Sequence, residues 1–208
     1  MRHSVISPDG TTIAFTYKGD IYTVPVAGGR AMQITTNPAY DTAPVWSPDS
    51  KRIAFASDRM GSLDVYIVAK DGGEPRRLTT HSGSETPLAF TDAGHVLFSA
   101  GIMPSAEAVV FPSNGQFNQV YRVSVEGGRP TMISSMPMEC ISINKEGAML
   151  YQDKKGYEDY WRKHHVSPIA RDIWMYTPGK EPQYRQLTTF GGEDREPVWA
   201  PDGKHSTI

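Results

Sequence analysis

The chain has 208 residues, 38% of them hydrophobic, and a formal charge of −2 from 21 Lys and Arg against 23 Asp and Glu. It is long enough to bury a substantial core, and it carries no basic field of the kind that nucleic acid requires. One cysteine, Cys140, excludes an internal disulfide, and no apolar run approaches the ~18 residues of a membrane-spanning helix.

The 19 Gly and 16 Pro are spread along the whole length, which predicts many short strands and many turns. In chain order, the first element is the apolar run Ser4-Val5-Ile6, followed by the turn Ser7-Pro8-Asp9-Gly10. Pro presets φ, Gly supplies the positive φ and Asp bonds its own backbone, as a tight reversal needs. A second apolar run follows, then Asp20-Ile21-Tyr22-Thr23-Val24, the Gly28-Gly29 turn and a segment ending Ile34-Thr35-Thr36.

The same order then recurs. Pro44-Val45-Trp46, Ser47-Pro48-Asp49-Ser50, Ile53-Ala54-Phe55, Asp64-Val65-Tyr66-Ile67-Val68, Gly72-Gly73 and Leu78-Thr79-Thr80 form the second copy. The third runs from Pro87-Leu88-Ala89-Phe90 and Thr91-Asp92-Ala93-Gly94 through Val96-Leu97-Phe98 and Gln119-Val120-Tyr121-Arg122-Val123 to Ile133-Ser134-Ser135. The fourth holds Asn144-Lys145-Glu146-Gly147, Asp172-Ile173-Trp174-Met175-Tyr176, Gly179 and Leu187-Thr188-Thr189, and Pro197-Val198-Trp199 with Ala200-Pro201-Asp202-Gly203 opens a fifth. Turn starts lie 40, 44, 53 and 56 residues apart, the spacing of one four-stranded blade per repeat with insertions.

The expected fold is therefore all-β: a β-propeller of four-stranded antiparallel blades, with strands A to D in each. One propeller segment spans 1–208, with blades at about 3–36, 43–80, 86–135 and 138–189 and a fifth beginning at 196–208. Four complete blades plus the start of another make an incomplete propeller, a fragment of a longer one; a closed four-bladed ring with a frayed tail is the alternative. Cys140, in Met138-Glu139-Cys140-Ile141, reads as a small core residue.

The succession Ser-Pro-Asp-Gly, Ile-Ala-Phe, Asp-Ile-Tyr, Gly-Gly and Leu-Thr-Thr resembles the PD40 repeat of TolB-like propellers and of the N-terminal propellers of tricorn-type (S41 family) serine peptidases. Lys18-Gly19-Asp20-Ile21-Tyr22, with its very short B–C turn, and the insertion 156–165 ahead of Arg171-Asp172-Ile173-Trp174 tilt the resemblance towards the peptidases. It implies a non-catalytic segment that gates or binds peptide substrates and scaffolds the enzyme, with PDZ-like and peptidase domains further along the parent chain. The alternative is a TolB-type protein–protein interaction propeller of the cell envelope.

In a blade, the B–C loops and D-to-A connections share one end, and here the B–C connections lengthen through Thr16–Gly19, Ala56–Leu63, Ser99–Asn118 and Gln152–Arg171. Loops on a rigid scaffold carry binding residues, so this end is the candidate surface for a peptide or protein partner. Its candidates are Tyr40, Asp41, Arg59, Glu85, Trp161, Arg162, His164, His165, Arg171, Asp194 and Arg195. Carboxylates and arginines there suit charged peptide termini, and the competing reading is a set of turn-stabilising, solvated charges. His164 and His165 lack a third ligand at a recognised spacing, so no metal is expected; they read as packing for the long loop.

Gly-x-Ser-x-Gly, P-loop, Gly-x-Gly-x-x-Gly and His-Glu-x-x-His patterns are absent. Neither catalytic residues nor a cofactor is expected in this segment. The N-terminus has no signal-peptide h-region, yet a leader could have been trimmed from a parent, which leaves periplasm and cytoplasm of a bacterial-type cell both open.

Overall fold

The computed structural model describes residues 1–101, 118–153, 170–200 and 202–207. Strands are the only regular elements among these residues. The first sheet is β1 (Arg2–Ile6), β2 (Thr12–Tyr17), β3 (Asp20–Pro25) and β4 (Met32–Gln33), in that spatial order. The second repeats it with β5 (Asp41–Trp46), β6 (Arg52–Ser57), β7 (Asp64–Ala69) and β8 (Arg76–Arg77). A third contains β9 (Glu85–Asp92), β10 (His95–Ala100), β11 (Gln119–Ser124) and β12 (Thr131–Ser134); a fourth contains β13 (Met138–Ile143), β14 (Met149–Asp153), β15 (Ile173–Thr177) and β16 (Gln183–Gln186). Strands β17 (Val198–Trp199) and β18 (Ser206–Thr207) begin a fifth. These are antiparallel sheets of the β-propeller blade kind. The chain divides into two compact units, Met1–Ala108 with Val120–Ile133, and Val109–Gln119 with Ser134–Ile208.

The reversals are built as their composition requires. Ser7 Oγ donates to Asp9 Oδ1 (2.6 Å), which accepts from Thr11 N–H (3.0 Å), while Gly10 N–H closes onto Ser7 C=O (2.8 Å) with φ +72°. The Ser7 hydroxyl and the Thr11 amide hold the Asp9 carboxyl at about 2, well below its usual range. Lys18 and Gly19 both have positive φ, 52° and 92°, between paired Tyr17 and Asp20. Two such residues define a type I′ hairpin, whose twist matches that of the strands it joins.

Strand A carries a device that the sequence reading lacked. His3, Ala43, Cys140 and Glu196, each four residues before its turn, have φ of 50°, 50°, 51° and 53°. Register shifts bracket the first three, between Arg2 and Val5, Thr42 and Val45, and Glu139 and Ser142. A bulge of this kind bends and twists a strand. In the third sheet the same place is Pro87, whose ring holds φ negative, and the shift there falls between Leu97 and Phe98. This corrects the expectation for Cys140: it is exposed, on bulged backbone, and not a core residue.

The segments expected to end strand D leave the ladder early. β4 stops at Gln33 because Thr35 Oγ1, in place of a backbone carbonyl, accepts Ile21 N–H (3.0 Å); Thr79 does the same for Val65 (2.9 Å) and Thr188 for Ile173 (2.9 Å). The third copy has Ser134 at this place, and β12 includes it.

In the first unit the core lies between successive sheets. Ala14, Ile21 and Ile34 of the first sheet meet Trp46, Ile53, Phe55, Tyr66 and Val68 of the second. The opposite face of the second, Ala54, Val65, Ile67 and Leu78, meets Phe90, Val96, Phe98, Tyr121 and Val123 of the third. Each joint thus sets an alanine-bearing aliphatic face against an aromatic one, and the small alanine lets the sheets close. Cross-strand stacks Phe15–Tyr22, Phe55–Tyr66 and Phe98–Tyr121 recur at 5.8, 5.9 and 5.7 Å between ring centroids. Full burial of a side chain such as Phe55 contributes roughly 2–3 kcal/mol. Trp46 Nε1 also donates to Val5 C=O across the first joint (3.2 Å).

In the second unit Leu150, Tyr151 and Ile173 are buried, and Trp199 Nε1 donates to Ala148 C=O at 3.2 Å.

Candidate functional site

The loop end is organised by one backbone contact used three times. Asp41 N–H donates to Gly19 C=O (2.7 Å), Glu85 N–H to Leu63 C=O (2.7 Å) and Asp194 N–H to Arg171 C=O (3.0 Å). Each D-to-A connection is thereby tied to the residue just before the acidic start of a strand C. In the first two cases a carboxylate from the connection comes beside one from the strand, Asp41 by Asp20 and Glu85 by Asp64.

In the first unit these groups are buried and mostly committed. Asp41 is fully buried and accepts from Arg59 Nη2 at 3.0 and 3.1 Å. Arg59 Nε donates to Ser57 Oγ (2.9 Å), and the guanidinium lies 4.5 Å from the Tyr66 ring centroid. Burial, and then the nearby Asp41 charge, raises the Asp20 carboxyl, although Thr35 and Gln33 bond it. Asp64 accepts from Arg77 Nη2 (3.0 Å), which also ties down strand D.

Glu85, wholly buried, accepts from Thr79 Oγ1 (3.1 Å). Burial pushes its carboxyl up to about 7, and the Asp64 charge adds to the shift against the Thr79 bond. His81 Nδ1 stands 3.3 Å from Glu85 Oε1 and accepts Gly83 N–H (3.1 Å).

Open to solvent at the same end of this unit are Tyr40, 42% exposed, Tyr17 and Met60. Tyr40 is held through its N–H to Asp58 Oδ1 (2.7 Å), and Lys18 Nζ lies 5.6 Å from the Tyr17 ring. A shallow cleft of about 260 Å³ runs between residues 34–38 and 73–75, with Arg59 along it.

In the second unit Arg171 lies 3.4 Å from Glu139 and from Glu193, and Arg195 Nε donates to Glu193 Oε2 (2.6 Å). The Arg195 side chain is 40% exposed. Asp172 accepts from Gln186 Nε2 (2.9 Å), and its N–H donates to Asp153 Oδ1 (2.8 Å). An arginine presented this way can give charge-assisted hydrogen bonds to a carboxylate.

Of the residues the sequence singled out, Asp41 and Arg59 pair with each other, Glu85 is sealed in, and Arg171, Asp194 and Arg195 cluster in the second unit. Trp161, Arg162, His164 and His165 lie outside the described residues. Sequence reasoning missed Asp64, Arg77, Thr79 and His81, though the recurring strand-C acid and Leu-Thr-Thr segment were the available signal. Among the described residues no three His, Cys, Asp or Glu are grouped to hold a metal ion, and no helix is long and apolar enough to cross a membrane.

Residues 1–204 match the family described as the tricorn protease N-terminal beta propeller domain. The chain is 24% identical over 196 residues to tricorn protease homolog 1 of Streptomyces coelicolor, covering 94% of this chain and 18% of that protein. It is 32% identical over 210 residues to the uncharacterized peptidase YuxL of Bacillus subtilis, covering 95% and 27%. The chain thus spans between about a sixth and a quarter of the length of these relatives. Among solved structures, TolB from Acinetobacter baumannii superposes with a TM-score of 0.69 at 18% identity, over 98% of this chain and 47% of that one.

Proposed function

The chain belongs to the tricorn protease N-terminal β-propeller domain family, and from that premise we propose that it is the non-catalytic propeller segment of a serine peptidase, admitting or selecting peptides and scaffolding the enzyme. The four sheets and the start of the fifth act, on this reading, as blades of one propeller over 1–208. The observation that carries the proposal is the family match over residues 1–204.

Peptides are taken at the ends of the B–C loops and D-to-A connections. Tyr40 offers an apolar face for a side chain, and Arg195 a donor for a terminal or side-chain carboxylate. Asp41, Arg59 and Glu85 hold those connections in place instead of touching the ligand, because their charges are buried and engaged.

Fluorescence polarisation with labelled hexapeptides bearing a free C-terminus tests this on the 208-residue chain. Tyr40→Ala and Arg195→Ala, made separately, should each weaken binding several-fold, and the Arg195 effect should vanish with C-terminally amidated peptides. No binding by the well-folded chain, or binding that neither substitution moves, rejects the peptide reading. Capture of an intact folded protein without peptide affinity would instead favour the interaction propeller of TolB type.

A further inference from the structure

The first unit holds two acid pairs of one design, and they are neutralised differently. Asp41, beside Asp20, is gripped by Arg59 at 3.0 and 3.1 Å. Glu85 and Asp64, the second pair, are both wholly buried. Arg77 Nη2 serves Asp64, standing 2.9 Å from Oδ2 with its hydrogen bond to Oδ1 (3.0 Å), and Glu85 Oε2 accepts only the Thr79 hydroxyl (3.1 Å). Among the described residues, Glu85 Oε1 and Asp64 Oδ2 are buried and receive no hydrogen bond, although the two side chains are in hydrogen-bond contact with each other. Two ionised carboxylates in contact are acceptors without a donor. One proton on Glu85 Oε1, donated to Asp64 Oδ2, satisfies both atoms and leaves a single charge for Arg77; without it each buried oxygen carries its desolvation cost uncompensated.

The pair sits where the loop end is tied together. Glu85 N–H donates to Leu63 C=O (2.7 Å), Ser62 Oγ to His81 C=O (3.4 Å) and Val65 N–H to Thr79 Oγ1 (2.9 Å). The same loop 58–63 holds the neighbouring connection: Asp58 Oδ1 accepts Tyr40 N–H (2.7 Å), and Asp58 N–H donates to Tyr40 C=O (3.4 Å). One short loop thus links the acid pair to Tyr40.

We propose that Glu85 stands protonated and donates to Asp64, that this buried clasp fixes the connection 80–85, and that its opening with rising pH loosens loop 58–63 and weakens peptide capture at Tyr40. Burial, with the Asp64 charge added, pushes the Glu85 carboxyl up to about 7, so the proton leaves as pH rises through neutrality and two adjacent buried carboxylates then repel. Thr79 and His81 face the pair from the connection and Arg77 from β8; His81 Nδ1 lies 3.3 Å from Glu85 Oε1 and accepts Gly83 N–H (3.1 Å). Tyr66 of β7 senses the charges of Asp64 and Arg77 as well as those of Arg59 and Asp41. The stretch 102–117, outside the described residues, adds one acid, Glu107, and no Lys, Arg or His. The effect on capture rests on the peptide reading of the loop end; the clasp itself does not.

Carbon-13 NMR of the 208-residue chain, labelled at the glutamate carboxyls, follows the clasp directly. Glu85 should titrate around neutrality, and Asp64→Asn should carry that transition down by about one pH unit or more, since the amide replaces a charge with a donor. A transition that Asp64→Asn leaves in place overturns the proposal. So does one that vanishes in His81→Asn, because the proton would then belong to the imidazole. Amide exchange on the parent decides the matter if Asp64→Asn does not fold: the Glu85 and Val65 amides should lose protection between about pH 6 and about pH 8.5, and Glu85→Gln should suppress the loss. Equal protection at both pH values in the parent overturns the clasp. N-acetylated, labelled hexapeptides should bind the parent several-fold more weakly at the higher pH and bind Glu85→Gln equally at both. Affinity independent of pH in the parent overturns the link to Tyr40. No binding at either pH rejects the peptide reading, while titration and exchange still decide the clasp.

Discussion

Arg59 grips both oxygens of the fully buried Asp41 through one nitrogen, at 3.0 and 3.1 Å, across the connection between the first and second sheets. Removing one partner of such a pair leaves an uncompensated buried charge, which costs far more than the net worth of the pair. Arg59→Ala should therefore destabilise the chain by about 3–5 kcal/mol, and Arg59→Lys by less, since an ammonium keeps the charge but loses the planar contact with Tyr66. Urea unfolding of the two variants checks the order. An Arg59→Ala loss below about 1 kcal/mol, the range of exposed ion pairs, would refute it.

Glu85 gives the first unit a pH dependence of definite sign. Its carboxyl is raised by burial from 4.5 to about 7, so between those values the folded chain holds a proton that the unfolded chain has released. The stabilisation is fully present below about 4.5 and is lost as the pH rises through about 7. Asp64, Thr79 and His81 face the group, with Arg77 beyond Asp64. Glu85→Gln keeps an acceptor for Thr79 and removes the titration. Denaturation midpoints from about pH 5 to pH 8.5 should fall more steeply with pH in the parent than in the variant, which should be the more stable of the two at the alkaline end.

How much of this was legible in the sequence depends on the range of the interaction. The Ser-Pro-Asp turns close through bonds two to five residues apart, such as Ser7 to Asp9 and Thr12 to Ser7, so composition at fixed offsets announces them. Strand C was equally plain, because β-branched and aromatic residues suit a pleated, buried surface. The burial of Asp41 and Glu85 was not. A carboxylate in a polar connection reads as solvated, and only the fold brings Arg59 to Asp41 and Thr79 to Glu85. The bulge at Ala43 and Cys140 has no sequence mark either, since neither residue favours positive φ; only Pro87, at the same place in the third copy, carries information, by forbidding it. Glu85 and Asp41 are buried and paired, while Tyr40 and Arg195 are exposed.

The Thr hydroxyls that end strand D make a separate expectation. Thr79 is buried, accepts Val65 N–H (2.9 Å) and donates to Glu85. Thr79→Val preserves the shape and orphans the amide, at a cost of about 1–3 kcal/mol. Thr188 makes the same bond to Ile173 from a partly exposed position, where water can replace it, so Thr188→Val should cost less. Amide hydrogen exchange supplies the local readout: Val65 should lose protection in the first variant and Ile173 in the second. Equal losses of stability would mean that burial does not govern the bond.

Ser50 allows backbone strain to be separated from a hydrogen bond at one residue. Its φ is +56° where Gly10, Gly147 and Gly203 stand at the same turn position elsewhere, and an L side chain there costs roughly 1–2 kcal/mol. Its hydroxyl offsets part of that by accepting Asp9 N–H (3.1 Å), a bond from the second sheet's turn to the first's, worth about 0.5–1.5 kcal/mol. Ser50→Ala keeps the strain and loses the bond, so it should destabilise by about 1 kcal/mol. Ser50→Gly loses the same bond but removes the strain, so it should fall close to the parent or slightly above it, despite the greater freedom glycine gives the unfolded chain. Thermal unfolding of both variants side by side decides the matter: an alanine variant as stable as the glycine one would show that the positive φ at Ser50 carries no penalty in this turn.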